Sequence, residues 1–180
     1  MSKRTFIGIM GCMGGLMSHL VLGSIFQWGI INVYITSYYK LLDPTVTLEA
    51  NSIAFPLMML GISLTVTLGI YLTEKTHPLI VMSIVAVVQS GFVYASSYMM
   101  NILGFFAFFG ILFGLVAGLN FMIAVVECNK YFPGKKMYVN GFILIGSGLG
   151  PLIFGMFCYN FLNPDKLPNN KGYYYGTPEL

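Results

Sequence analysis

The chain has 180 residues, of which 57% are hydrophobic and only 8% are charged, and its mean hydropathy is +0.79. A protein this poor in polar residues cannot cover its surface in water, so the composition excludes a soluble globular fold. The net charge of +3 says little by itself, because the position of the basic residues relative to the membrane matters more, and we expect no nucleic-acid partner. We therefore expect an all-α integral membrane protein surrounded by the lipid bilayer.

The residues that could hold a metal or carry out catalysis are few and scattered. Cys12, Cys128 and Cys158 occur singly and are odd in number, which predicts neither a disulfide framework nor a C-x-x-C metal site. His19 and His77 are not spaced as metal ligands, and no glycine-rich loop opens a helix after a strand. We expect no metal, no cofactor and no enzymatic activity.

Five apolar stretches are long enough to cross a bilayer. They are predicted at residues 6–38, 52–72, 79–98, 102–126 and 138–162, so that residues 1–162 form a helical bundle. Asp43-Pro44 marks the turn of a loop at residues 39–51, and residues 163–180 form a polar tail that cannot span the membrane. The first stretch could also be a signal peptide cleaved near Gly23-Ser24, but its apolar character continues to Tyr38.

The distribution of basic residues predicts the orientation of the spans. Six of the nine fall on one side of the membrane and three on the other: Lys3, Arg4, Lys75, Lys130, Lys135 and Lys136 against Lys40, Lys166 and Lys171. Cytoplasmic loops carry the excess of Lys and Arg in membrane proteins. We expect a cytosolic N-terminus and an extracellular or lumenal C-terminal tail.

Glycines recur at helical spacing in the first and fourth predicted spans, and three glycines lie close together in the fifth. Those of the fourth and fifth spans are Gly110, Gly114, Gly118, Gly146, Gly148 and Gly150, and those of the first span continue into a stripe with His19 and Gln27. Small residues on one face allow helix backbones to approach closely in a membrane. If the stripe of the fourth span were exposed, it would predict that another membrane chain packs there.

The turn between the fourth and fifth spans carries a motif. Tyr131-Phe132-Pro133 is followed by Lys135-Lys136, by Gly141 and by the three glycines that precede Pro151. This spacing resembles the loop between the fourth and fifth helices in the oxalate/formate antiporter and monocarboxylate-porter branch of the major facilitator superfamily, which reads roughly W-F-P-D-K-R-G. The sequence departs from that pattern at Tyr131, Gly134 and Met137.

The resemblance implies a fold of five transmembrane helices that correspond to an incomplete N-terminal six-helix bundle. In that family the second half of the transporter supplies the cationic side chains that bind the substrate carboxylate, and alternating access needs both halves. We therefore expect that another membrane chain supplies the missing helices.

The resemblance also implies a substrate site. In the family, aromatic side chains of the first, fourth and fifth helices surround the small anion, and polar groups lie beside them. The corresponding site here consists of Phe26, Gln27, Trp28, Asn120, Phe121 and Ser147. The site has fewer aromatic hydroxyl donors than the family pattern, and Asn120, like Asn140, could instead join two helices by a hydrogen bond.

Two further groups of ionisable residues are candidates. His19 lies inside the first span, where it could couple a proton to transport or form a neutral hydrogen bond to a neighbouring helix. The resemblance implies a latch that closes the cytosolic side, formed by Glu74, Lys75, Lys135 and Lys136, with Glu127 and Lys130 nearby. Side chains that extend to the membrane interface explain the same charges without a function.

Three functions remain open at this point. The first is transport of a small organic anion by a facilitator-type protein that is incomplete alone. The second is a non-transporting membrane subunit derived from such a transporter, and the third is a truncated product of one. Transport activity and oligomeric mass distinguish them.

Overall fold

The computed structural model describes residues 3–166, and the regular structure in that part of the chain is helical throughout. Five stretches, here called the first to fifth spans, are long and apolar enough to cross a membrane: Lys3–Leu42, Leu48–Lys75, Pro78–Ser96, Ile102–Asn129 and Lys136–Leu162. The prediction of an all-α protein with five membrane spans is confirmed. Most of the predicted polar tail, including Lys171, lies outside the described residues.

Three of the spans are interrupted. The first contains helices Lys3–Gly23 and Trp28–Leu42, joined by a 3-10 segment at Ser24–Gln27, and the second contains helices Leu48–Asn51 and Ala54–Lys75. The fourth contains Ile102–Phe105, a π-helical segment at Phe106–Leu112, and helices Phe113–Phe121 and Ile123–Asn129. The third, Pro78–Ser96, and the fifth, Lys136–Leu162, are single helices, and the fifth continues through Pro151. Such irregular segments inside helices often occur at functional positions.

The loop between the first two spans is shorter than the sequence predicted. The first span continues to Leu42, and Leu48–Asn51 forms a helical turn because the Thr47 side chain accepts a hydrogen bond from the backbone of Ala50 at 3.2 Å. Within the remaining loop, the Asp43 carboxylate accepts hydrogen bonds from the hydroxyl and the backbone N–H of Thr45. These bonds hold the pKa of Asp43 below its usual range.

The second and fourth spans pack backbone to backbone through glycine. A methyl group added at Gly61 would lie 2.7 Å from the backbone nitrogen of Leu115, and one added at Gly118 would overlap Ile62. Gly114 and Gly118 are therefore buried inside the bundle, against the second span. The second span of the chain itself therefore covers this stripe, so the stripe does not provide evidence for another membrane chain.

The first and fifth spans form a second close pair. A methyl group at Gly146 would overlap the carbonyl oxygen of Leu16, and one at Gly23 would lie 2.6 Å from the carbonyl oxygen of Ser147. Gly148 points away, with nothing within 4 Å of an added methyl group. Two glycine-mediated pairs, the second span with the fourth and the first with the fifth, thus hold the bundle together.

The two ends of the bundle are closed differently. At the end that carries Lys3, Arg4, Lys75 and residues 130–136, here called the basic end, the Arg4 guanidinium donates to the carbonyl of Lys130 at 3.2 Å. At the opposite end, the Tyr39 hydroxyl donates to the carbonyl of Met99 at 2.7 Å. These contacts join the first span to the fourth-to-fifth turn at one end and to the third-to-fourth turn at the other.

Candidate functional site

The 3-10 segment of the first span positions two residues of the predicted substrate site. Gln27 ends this segment and Trp28 begins the next helix. Trp28 is 6% exposed and its ring lies against Phe105 and Phe109, with ring centres 6.0 and 5.5 Å apart. Within residues 3–166, neither the Gln27 side-chain oxygen nor the Trp28 indole nitrogen has a hydrogen-bond partner, although both atoms are buried.

His19 lies two turns earlier on the same span and is fully buried. Its Nδ1 is 3.2 Å from the carbonyl oxygen of Gly15. Because a carbonyl only accepts, Nδ1 carries the hydrogen, and Nε2 of the neutral ring is then an acceptor. Nε2 is buried and has no partner among the described residues.

The fourth span brings Phe121 to His19, with ring centres 5.4 Å apart. The α-helix ends at Phe121 and resumes at Ile123, so the two rings meet at a break in the span. The preceding residue, Asn120, is buried, and its side-chain oxygen has no partner within the described chain. Substrate and ion sites in transporters are commonly formed where membrane helices are discontinuous.

The fifth span contributes Ser147, whose backbone packs against Gly23. The Ser147 hydroxyl is buried and lacks a partner among residues 3–166. The sixth predicted residue, Phe26, is placed differently. It is 47% exposed and its ring contacts Phe55 of the second span at 6.1 Å, so it does not enclose the other five.

Five of the buried polar atoms without partners, those of the predicted site residues and of His19, therefore come from the first, fourth and fifth spans. Trp28 supplies an N–H donor and Ser147 a hydroxyl, while Gln27, Asn120 and His19 present acceptors. No hydrogen bond joins any two of these five side chains in the described structure. A buried polar group without a partner costs about 1–3 kcal/mol, so each of these atoms would gain from a polar partner.

The residues of the predicted latch lie at the basic end and are exposed: Glu74, Lys75, Lys135 and Lys136. In residues 3–166 no salt bridge links Glu74 to any of the three lysines. Lys75 instead lies over the ring of Tyr71, with its Nζ 4.7 Å from the ring centre. The recorded ion pair of this region joins Glu127 to Lys130 at 2.5 Å.

Similarity to known proteins bears on this site. The chain is 26% identical to apicoplast pyruvate carrier 1 of Toxoplasma gondii over 211 aligned positions, which cover 98% of this chain and 39% of the carrier. It is also 26% identical to the uncharacterized MFS-type transporter YhjX of Escherichia coli, over 78% of this chain and 34% of that protein. The chain is similar to membrane transporters.

The aligned region covers part of each relative. The chain spans between about a third and two fifths of the length of these two curated relatives. No protein-family model matches the chain, and no solved structure matches it. The similarity agrees with a multi-pass membrane protein of transporter type.

A buried polar network at the opposite end was not predicted. The Asn51 amide donates to the side-chain oxygens of Asn32 and Thr36, each at 2.8 Å, and the Asn32 amide donates to Ser52 at 2.9 Å. Asn51 and Thr36 are fully buried. The four-residue spacing of Asn32 and Thr36 inside an apolar helix was the signal that could have indicated a polar partner from another span.

Asn140 has a structural contact. Its side-chain oxygen accepts a hydrogen bond from Asn129 at 2.8 Å, which joins the fourth and fifth spans beside the basic turn.

The described residues contain no group of three or more His, Cys, Asp and Glu side chains close enough to hold a metal ion.

Proposed function

We propose that this chain forms part of a facilitator-type transporter that moves small organic anions of the monocarboxylate or oxalate/formate type. The observation that carries the proposal is the set of buried, unpartnered polar atoms on the first, fourth and fifth spans at Gln27, Trp28, Asn120 and Ser147. The similarity to a pyruvate carrier over nearly the whole chain supports the same class of substrate.

The chemistry of these side chains suits one part of a carboxylate site. The Trp28 N–H and the Ser147 hydroxyl donate to carboxylate oxygens, and the aromatic rings around Trp28 exclude water. The Lys and Arg residues of the described spans lie near the span ends, such as Lys3, Lys40 and Lys75. The positive charge that balances the anion therefore comes from elsewhere, and we propose that another membrane segment or chain supplies it along with further helices.

His19 is the proposed proton carrier. Its contacts include the Gly15 carbonyl, the ring and the backbone of Phe121, and the backbone of Gly146, none of which titrates. Protonation at Nε2 converts an unpartnered acceptor into a cationic donor that attracts an anion. Proton and anion would then bind together.

The charged residues at the basic end support the proposed latch and the proposed orientation. Glu74, Lys75, Lys135 and Lys136 are exposed there, and we propose that they pair with each other or with a second unit when the cytosolic side closes. The excess of basic residues at this end favours its placement in the cytosol, with the N-terminus.

Exchange in proteoliposomes tests the proposal. Vesicles in which the chain is reconstituted together with the membrane chain that completes it, and which hold internal pyruvate, formate or oxalate, are expected to take up the labelled anion faster than protein-free vesicles, and faster at the acidic end of the range from about pH 5 to 8. His19→Gln keeps a hydrogen-bonding amide but cannot carry the proton, so it should flatten this pH dependence. Uptake equal to that of protein-free vesicles would favour the non-transporting subunit.

A further inference from the structure

Near the basic end, one face of the first span contacts the end of the fourth span and the turn that follows it. Arg4, Gly8 and Cys12 occur at four-residue intervals, so they lie on the same face of their helix. Arg4 donates to the carbonyl of Lys130 at 3.2 Å, and a methyl group added at Gly8 would lie 2.8 Å from Cβ of Tyr131. We call the contacts of Arg4, Gly8 and Cys12 the basic-end seam.

Cys12 brings a thiol to this seam, and the fourth span supplies a second thiol. The Cys128 thiol is in hydrogen-bond contact with the thiol of Cys12, and a methyl group added at Gly11 would lie 3.4 Å from Sγ of Cys128. Both cysteines are buried and belong to one apolar cluster with Val139 and Ile143 of the fifth span. Two thiols that are far apart in sequence are therefore adjacent in the folded chain.

We propose that Cys12 and Cys128 are a site of reversible oxidation, at which a peroxide converts the two thiols into a disulfide that closes the basic-end seam covalently. One thiol loses its proton, and its sulfur attacks a peroxide oxygen. The O–O bond breaks, a sulfenic acid forms, and the released hydroxide takes up that proton as water. The second sulfur then attacks the sulfenic sulfur, so that the S–S bond forms, the S–O bond breaks and a second water leaves.

The surroundings of the two thiols determine how the site responds. The thiolate is the nucleophile and burial disfavours a charge, so the first step is slow and requires sustained exposure to peroxide. Contact between the thiols makes the second step intramolecular, which favours the disulfide over further oxidation of the sulfenic acid. Disulfides of cytosolic proteins are usually transient and redox-sensing, which suits the proposed placement of the basic end. The inference does not depend on the proposed transport function, because it rests on the contact between the thiols.

The number of reactive thiols tests the proposal. Membranes from cells that express the full chain are exposed to hydrogen peroxide and then denatured with N-ethylmaleimide, and the mass of the isolated chain gives the number of thiols that still react. The untreated chain, with its three cysteines, should carry three maleimide groups, whereas the oxidised chain should carry one and remain monomeric. Dithiothreitol should restore all three. Three groups after prolonged exposure, or a covalent dimer, would overturn the proposal.

Two matched variants show which thiols form the bond. Cys158, on the fifth span, is the third cysteine of the chain, and alanine replaces each cysteine by another small apolar residue. Cys158→Ala is expected to lose both of its remaining thiols on oxidation, whereas Cys12→Ala should keep both. If Cys12→Ala does not elute in gel filtration as the wild type does, Cys128→Ala replaces it. Retention of both thiols in Cys158→Ala, or loss of both in Cys12→Ala or its replacement, would contradict the pairing.

Discussion

Replacing Gly146 with alanine is expected to destabilise the folded bundle by about 1–3 kcal/mol or more. The added methyl group would overlap the carbonyl oxygen of Leu16 and would lie 2.8 Å from the backbone nitrogen of Leu20 and 3.1 Å from Cβ of His19. The first two of these atoms belong to a helix backbone, so the clash is relieved only if the first and fifth spans separate. That separation also removes dispersion contacts along the pair.

Gly148→Ala is the matched control for this change. It lies on the same helix two residues later and places the same methyl group where nothing lies within 4 Å. Two quantities are measured. The first is the midpoint of thermal unfolding in detergent, and the second is the fraction of protein that elutes as a single species. Equal midpoints for the two variants would show that the first and fifth spans are not packed through Gly146.

Replacing Asn51 with alanine is expected to have the second largest effect on stability, about 1–3 kcal/mol. Asn51 is fully buried, and its amide donates to Asn32 and Thr36 at 2.8 Å. Truncation removes both hydrogen bonds and leaves a cavity between the first span and the start of the second. The opposite end of the first span would then lose its polar attachment to the helical turn Leu48–Asn51.

Asn160→Ala serves as the comparison, because Asn160 is exposed and its amide contacts only the carbonyl of Met156 one turn earlier on its own helix among the recorded bonds. Substitutions at such surface positions usually change stability by about 0.5 kcal/mol or less. The midpoint of unfolding should therefore fall for Asn51→Ala and stay close to the wild-type value for Asn160→Ala. A comparable loss for both would contradict the role given to the network.

The number and order of the spans follow from the sequence because a bilayer sets a fixed length of apolar chain for each crossing. Hydropathy reports that length directly, and the turns at Asp43-Pro44 and Pro133-Gly134 interrupt it where backbone groups can reach water. The glycine positions also indicated close packing, which the structure has at Gly114, Gly118, Gly146 and Gly150.

The direction in which individual side chains point was harder to predict. It depends on interruptions of the helices that no sequence motif indicates. The stripe from Gly15 through His19 and Gly23 is buried as its spacing indicated, but Gln27 is only half-buried. The intervening 3-10 segment turns about 120° per residue instead of about 100°, so its four residues rotate the following helix by about 80°. Phe26 points toward Phe55 and the surface as a result of this local geometry.

The remaining differences between prediction and structure depend on which neighbouring helix a residue contacts. The stripe at Gly114 and Gly118 could face a partner chain or the chain's own second span, and only the packed bundle selects between them. Asn51 was assigned to a loop because its polar partners, Asn32 and Thr36, lie 19 and 15 residues away in sequence. Contacts of that separation are set by tertiary packing rather than by a local pattern.

The account as a whole depends on a small-carboxylate site that includes the Ser147 hydroxyl. Equilibrium binding of radiolabelled pyruvate, formate and oxalate to the protein purified together with the membrane chain that completes it, in lipid nanodiscs, tests it most directly. We predict saturable binding of one of these anions, weakened about tenfold or more by Ser147→Ala and unchanged by Ser90→Ala, which removes an exposed hydroxyl of the third span that donates to Ala86. The absence of saturable binding for all three anions, or equal affinities in the two variants, would contradict the proposed site.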